Sequence, residues 1–390
     1  MMNPARLKVA PPDPYVFKSP LRRKIAAGMD FLGSLFNSPS GVSVDWTRVK
    51  KIAVLRLDHL GDVLLALPFL ESLQRQLPQA PVDFYLGPWA EGLKELFPVP
   101  VNVKLFAAPW FDRSGPLMGS AEGVRALSNS LREGGYDAVI DLRGDFRHIR
   151  AMKRAGIPVR VGQGITGGRF WLTHPLEYRP GLHEIDRNLD VLAQMGLQTQ
   201  GSSAFPRLLS RPQDEKAAEE AMSSHEVRRP FIAIHATCQA SAKRWNEERW
   251  RSLVERLPAD KDIVVTGSAG EREEAEKIFG PAGKRVIFAM GTLSLPGLAA
   301  FLKKASLFIG VDSAPAHIAA AMGTPVLSLF SGTNLTAQWG PRGRRVTLLQ
   351  KETSCSPCER AVCPLENQCM EMIGLDEVLE KAKALLEGGQ

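Results

Sequence analysis

No stretch of the 390-residue chain approaches the roughly 20 consecutive apolar residues needed to cross a bilayer. The N-terminus also lacks the basic, apolar and small-residue succession of a signal peptide, so the cytoplasm is the expected compartment. Cysteine is scarce: of five residues, four (Cys355, Cys358, Cys363 and Cys369) crowd into fifteen positions near the C-terminus. In a reducing compartment that cluster argues for a metal site or reduced thiols rather than disulfides. A Gly-x-Gly-x-x-Gly turn is missing after the first predicted strand, which weighs against a dinucleotide-dependent dehydrogenase.

What remains is an ordinary globular composition, 44% hydrophobic, 23% charged and 7% aromatic. At about 100–200 residues per domain, the length suggests two domains and room for a cleft between them. A net charge of +7 favours an acidic partner: a nucleotide, a phosphorylated glycan, an anionic membrane surface or a nucleic acid. Charge alone does not choose among them.

The pattern along the chain divides it into residues 1–46, 47–205 and 206–390. The first part reads as an arm. Pro11, Pro12, Pro14 and Pro20 interrupt regular structure before a predicted helix, Leu21 to Phe36, in which Leu21, Ile25, Met29, Leu32 and Phe36 share one face beside Arg22, Arg23 and Lys24. Such a basic amphipathic helix lies on a membrane surface or packs on the domain that follows. From Lys51 onward, apolar strand candidates at Ile52–Leu55, Val82–Leu86 and Ala138–Leu142 alternate with helical stretches, one of them from Val63 to about Gln76. After a linker near residues 200–212 the alternation resumes, with strands at Phe231–His235, Ile263–Thr266, Val286–Ala289, Leu307–Val311 and Val326–Phe330 and a closing helix at Leu375–Leu386. Two Rossmann-like units with parallel sheets are expected.

In such sheets ligands bind beyond the carboxyl ends of the strands. Three strand-to-helix loops stand out there. At Gly61-Asp62 a small residue precedes a carboxylate at a helix start, where Asp62 serves chemistry or simply caps the helix. The loop from Ala236 to Trp245 brings Thr237, Ser241, Lys243 and Arg244 together, as a diphosphate requires, or is a solvated basic loop. In the third, Asp312, Ser313, Ala314, Pro315, Ala316 and His317 open an alanine-rich helix whose free N–H groups suit phosphate oxygens; capping by Asp312 or Ser313 explains it as well. Arg143, Arg147, Arg150 and Arg154 recur at helical spacing and suit an acceptor's phosphates or form a solvated charged face. The cysteines, spaced C-x2-C-x4-C-x5-C, match a structural zinc site or thiols packed in a loop.

Taken together these segments resemble glycosyltransferase family 9, the ADP-heptose:lipopolysaccharide heptosyltransferases, over roughly residues 50 to 375. The resemblance rests on Arg56-Leu57-Asp58-His59-Leu60-Gly61-Asp62-Val63 with Pro68, Tyr136 through Gly144, Lys243-Arg244-Trp245 with Glu248-Arg249-Trp250, and Asp312 through His317 followed by Gly323-Thr324-Pro325. It implies a GT-B fold, acceptor on the N-terminal domain, nucleotide sugar on the C-terminal domain, and transfer with inversion. It further implies Asp62 as general base, Lys243 on the donor phosphates and sugar, Thr237 near the diphosphate and Glu271 on the ribose. Asp312 would contact the sugar, with Ser313, Ala314 and His317 at the phosphate-side helix start. Cys238 stands where some members have a second hydroxyl residue, and the arm is outside the shared pattern.

The implied donor is ADP-heptose and the implied acceptor a phosphorylated lipopolysaccharide inner core, reached from the cytoplasmic face of the inner membrane. Lys243 and the helix start would stabilise the departing diphosphate, and no convincing metal-binding Asp-x-Asp motif is present, so no catalytic cofactor is expected. A GT-B transferase using another nucleotide sugar is the nearest alternative, and an inactive membrane-associated binding protein a more distant one. Nucleic acid is not an expected partner, because no recognised module appears and the arginine stripe lacks interleaved aromatics beyond Phe146.

Overall fold

The computed structural model describes residues 15–17, 19–36, 43–111, 120–228, 230–280 and 285–388; Pro11, Pro12 and Pro14 lie outside the described residues. The apolar run at Ile52–Leu55 becomes β1, which extends through Arg56, and all five strand residues are buried. A strand covered by helices on both faces reads as a continuous apolar run, which is the signal seen here. Around it β2 (Val82–Leu86), β3 (Asn102–Leu105), β4 (Ala138–Asp141), β5 (Val159–Gly162) and β6 (His174–Pro175) form a parallel sheet ordered β3-β2-β1-β4-β5-β6.

The second sheet contains β7 (Phe231–His235), β8 (Asp262–Gly267), β9 (Val286–Met290), β10 (Leu307–Val311), β11 (Val326–Phe330) and β12 (Val346–Gln350), again all parallel and ordered β12-β11-β10-β7-β8-β9. Counted from its own first strand, each sheet has the same doubly wound order, and its direction of winding reverses between β1 and β4 in one and between β7 and β10 in the other. Crevices open at the carboxyl ends of such strand pairs. The loops after these four strands are therefore where the fold itself creates space for a ligand.

One helix departs from expectation. The segment from Val63 to Gln76 is two helices, Leu60–Leu65 and Leu67–Gln76, joined at Ala66. Pro68 has no N–H to donate to the Leu64 carbonyl, so the ladder is interrupted there. The result is a short first helix, which turns Asp62 toward the other domain without carrying the longer helix with it.

Residues 207–210 bond to both halves: the Leu208 N–H donates to the Ala321 carbonyl (3.1 Å) and the Leu209 N–H to that of Leu96 (2.7 Å). Arg342 holds Asp186 through two bonds of 2.9 and 2.7 Å, and His183 Nε2 lies 2.8 Å from the Gly340 carbonyl oxygen. One apolar cluster runs through the junction, with Phe84 and Leu93 from one domain and Phe301 and Ile318 from the other. The basic segment near the N-terminus is helical over Pro20–Ser34, capped by Ser19, and attaches to the first domain through Asp30. Among the described residues, no helix is long and apolar enough to cross a membrane.

Candidate active site

Between the two switch points lies a cleft of about 540 Å³, lined from one side by residues following β1 and β4 and from the other by residues following β7 and β10. Asp62 enters it from the third position of the helix Leu60–Leu65. Its Oδ2 accepts the His59 N–H (3.2 Å) and its Oδ1 accepts from Arg56 Nη2 (3.0 Å). The capping reading of Asp62 thus describes one oxygen, while the residue as a whole lines the cleft. Burial pushes its pKa up, but Arg56, Arg143 and His59 outweigh that and hold the carboxyl below its ordinary value. It is an ionised carboxylate at neutral pH.

Arg56 is the hub of this corner. Its fully buried guanidinium contacts Asp58 (2.9 Å), Asp62 (3.0 Å) and Glu184 (2.8 Å), and donates to the Leu142 carbonyl (3.1 Å). Removing one partner from such a buried network leaves uncompensated charge, at a cost of roughly 3–5 kcal/mol. Asp58 behaves opposite to Asp62: burial first, then the neighbouring Asp62 and Glu184 charges, push it up to about 6 against the pull of Arg56 and Arg143. Two carboxylates four residues apart therefore hold protons very differently. Sequence reasoning missed Asp58 and Glu184 as members of this group; Asp58 lay within the quoted motif, whereas Glu184 comes from a distant helix with no pattern to announce it.

Across the cleft, Lys243 Nζ meets Asp312 Oδ2 at 2.5 Å, and that same oxygen accepts from Asn334 Nδ2 (3.0 Å). Lysine and aspartate face the cleft as a pair, so a diphosphate would compete with Asp312 for the ammonium. Ser313 precedes the helix Ala314–Ala321, but its hydroxyl donates to the Val311 carbonyl (3.1 Å), and no side chain caps the helix. Pro315 has no N–H and the Ala316 N–H turns back to the Ser313 carbonyl (3.2 Å), so within the first turn the Ala314 N–H is the one left for an anion's oxygen. His317 is buried with Nδ1 unpartnered, and burial above all lowers its pKa to about 4, so the ring is neutral. A Cβ at Gly61 would meet the His317 ring at 3.4 Å, an ordinary contact; Gly61 is thus not demanded by the domain junction and leaves that volume to the cleft.

Thr237 donates to Glu271 Oε1 (2.8 Å), whose other oxygen accepts the Ser268 N–H (2.8 Å) and hydroxyl (2.6 Å). Burial raises the Glu271 pKa, but these Ser268 bonds, with help from His235 and Thr237, bring it below its ordinary value. The carboxylate stands ready as a hydrogen-bond acceptor at the carboxyl end of β8. Asn334, Trp339 and His235 also line the cleft and were not anticipated. Asn334 and Trp339 follow β11 in a segment with no repeated spacing, and His235 is the last residue of a strand whose apolar run hides it.

The arginine stripe does not form one surface. Asp145 caps the helix Phe146–Ala155, which leaves Arg143 in the preceding loop. Arg143 reaches the cleft 3.6 Å from Asp58, whereas Arg147 binds its own Asp145 through bonds of 2.8 and 2.6 Å and packs over the Trp110 ring. Arg150 lies exposed on the helix, outside the cleft lining. The four C-terminal cysteines are not gathered either. Cys369 is buried with its sulfur accepting the Gly332 N–H (3.1 Å), Cys355 is exposed beside Thr353, and among the described residues no group of three or more His, Cys, Asp or Glu is arranged to hold a metal ion.

Two doubly wound domains that meet across a cleft, one offering a buried carboxylate and the other an uncapped helix start beside a lysine, define a glycosyltransferase of the GT-B fold. The model of glycosyltransferase family 9 (heptosyltransferase) matches residues 124–369, and the chain belongs to that family. It is 27% identical over 331 residues to lipopolysaccharide heptosyltransferase 1 of Pseudomonas aeruginosa, a match covering 80% of this chain and 87% of that protein. Its fold is similar to that of the family 9 glycosyl transferase from Veillonella parvula, with a TM-score of 0.75 at 22% identity over 89% of this chain and 99% of the other. It is similar too to the E. coli ADP-heptose lps heptosyltransferase II, with a TM-score of 0.69 at 20% identity over 87% of this chain and 99% of the other.

Proposed function

We propose that this glycosyltransferase moves a heptose from ADP-heptose to a phosphorylated inner-core acceptor of lipopolysaccharide, with inversion at the anomeric carbon. The observation that carries the proposal is the placement of the ionised Asp62 opposite Lys243 and the uncapped start of the helix Ala314–Ala321 within one cleft. The relatives' names supply the sugar and the acceptor class; the cleft supplies the chemistry.

In this reading the diphosphate lies against the helix start at Ala314 and displaces Asp312 from Lys243, freeing Asp312 to accept from sugar hydroxyls. Glu271 receives the ribose hydroxyls and Thr237 faces the diphosphate. The acceptor enters from the N-terminal domain, with Arg143 on its phosphate. Asp62 takes the proton from the acceptor hydroxyl as that oxygen attacks the anomeric carbon, and the C–O bond to the diphosphate breaks on the opposite face. Lys243 and the helix start stabilise the charge that develops on the leaving group, so the arrangement calls for no catalytic cation. Incubation with ADP-heptose and a panel of truncated lipopolysaccharide acceptors, read by product mass and linkage, tests this. A heptose added to an inner-core acceptor is the expected product. Transfer only from another nucleotide sugar would retain the fold and chemistry but overturn the donor.

A further inference from the structure

We propose that the helix Pro20–Ser34 and the turn that follows it form a membrane-docking element that seats the protein on an anionic lipid surface through Leu21, Ile25, Leu32 and Phe36. A surface helix ordinarily turns its apolar stripe inward and its polar side to water. This one is mounted the other way round. Its attached side is made by Ala26, Asp30 and Gly33. Asp30 Oδ1 accepts the N–H groups of Gly168 (2.7 Å) and Arg169 (3.1 Å), and its Oδ2 accepts the Tyr15 hydroxyl (2.7 Å). Gly33 lies so close to Phe170 that a Cβ there would come within 2.3 Å of the ring, so the helix is held by a short-range fit as well as by hydrogen bonds.

Away from the attachment the helix exposes Leu21 and Leu32, with Ile25 at the margin nearest the domain and Phe36 just beyond the helix end, all between 53% and 85% exposed, and Phe31 and Leu35 widen the arc. A contiguous apolar surface of this kind marks an interaction site. Its surroundings identify the occupant. Asp30, the only acid of the helix, is turned toward the protein, so Arg22 and Lys24 face solvent without a countercharge from their own helix. Apart from Lys24 the arc offers no hydrogen-bonding side chain that could set a register with a protein partner. An apolar arc with a cationic margin is what the boundary between acyl chains and anionic headgroups accommodates. The apolar surface also continues through a groove lined by Ile25, Met29, Phe146 and Trp171 to the helix Phe146–Ala155, on which Arg150, Lys153 and Arg154 are exposed. The element is therefore mounted on the same domain as Asp62, beside the helix that follows the acceptor-side loop.

The test uses the full chain and vesicles without acceptor or donor, so its outcome is independent of the reaction assigned above. The wild type is expected to sediment with phosphatidylcholine vesicles containing about one third phosphatidylglycerol, and less so as salt rises. The double variant Ile25→Glu/Leu32→Glu should lose at least about tenfold in partitioning, because binding scales with the apolar area inserted. Arg22→Ser/Lys24→Ser should weaken binding to the anionic vesicles only. All four positions are exposed, so the melting temperature should not move. Unchanged partitioning of the double variant, or failure of the wild type to bind, would overturn the proposal. So would a variant that changes the mass by light scattering but not the vesicle binding, which would show a second copy of the chain on this face.

Discussion

At the scale of the residue, the site turns on how one arginine divides itself among three carboxylates. Arg56 and Arg143 keep Asp62 ionised well into the acid range, while Asp58, more deeply enclosed and beside two like charges, is pushed up to about 6. Asp58 therefore takes up a proton as the pH falls through about 6, while Asp62 stays ionised. Arg56 then pairs more strongly with Asp62, and in the proposed mechanism this weakens the base, so turnover should decline below that pH. Asp58→Asn, which is uncharged throughout, should give a slower enzyme whose rate is flat across this range. An unchanged acid limb in the variant would assign the titration elsewhere. Asp62, Lys243, Asp312 and His317 were legible because each sits at a strand-to-helix loop with a recognisable local pattern. Asp58, Glu184 and Asn334 were not, because what places them is burial and contact with parts of the chain far away in sequence.

Among the elements, the interior strands were easy to read apart from β5, and of the four edge strands β9 alone was anticipated. The apolar runs of β1, β7, β10 and β11 are buried along their whole length, so hydrophobicity alone reveals them. β3, with Asn102 and Lys104, is an edge strand largely exposed to water, and β12 borders the other sheet, so neither carries that signal. Helical spacing likewise put four arginines on one face, but Asp145 starts the helix after Arg143 and separates the first arginine from the rest. Arg143→Ala is accordingly predicted to raise the acceptor KM severalfold or more, and Arg150→Ala to leave it near wild type; equal effects would restore the common face. For the cysteine loop, sulfurs that face different neighbours predict metal well below one equivalent in protein purified without added zinc. Stoichiometric metal would mean that the loop regroups around it.

For the whole molecule, the repeated winding order explains why one cleft suffices. Each domain opens a crevice where its strand order reverses, and the linker bonds through Leu208 and Leu209, with the Arg342–Asp186 and His183–Gly340 contacts, keep the two crevices facing one another. In the proposed mechanism, acid-base and leaving-group functions are thereby split between domains. A variant on one side should leave the binding function of the other intact. The most direct measurement is ADP-heptose affinity and single-turnover transfer compared between the wild type and Asp62→Asn, which keeps the size of the side chain and one of its two acceptor oxygens but not its basicity. The account predicts a lowered melting temperature from the loss of one Arg56 partner, but a folded variant at assay temperature with a donor Kd close to wild type and transfer reduced by roughly 10²–10⁴-fold. Near wild-type transfer by the folded, donor-binding variant would contradict it and leave Asp62 with its structural role alone.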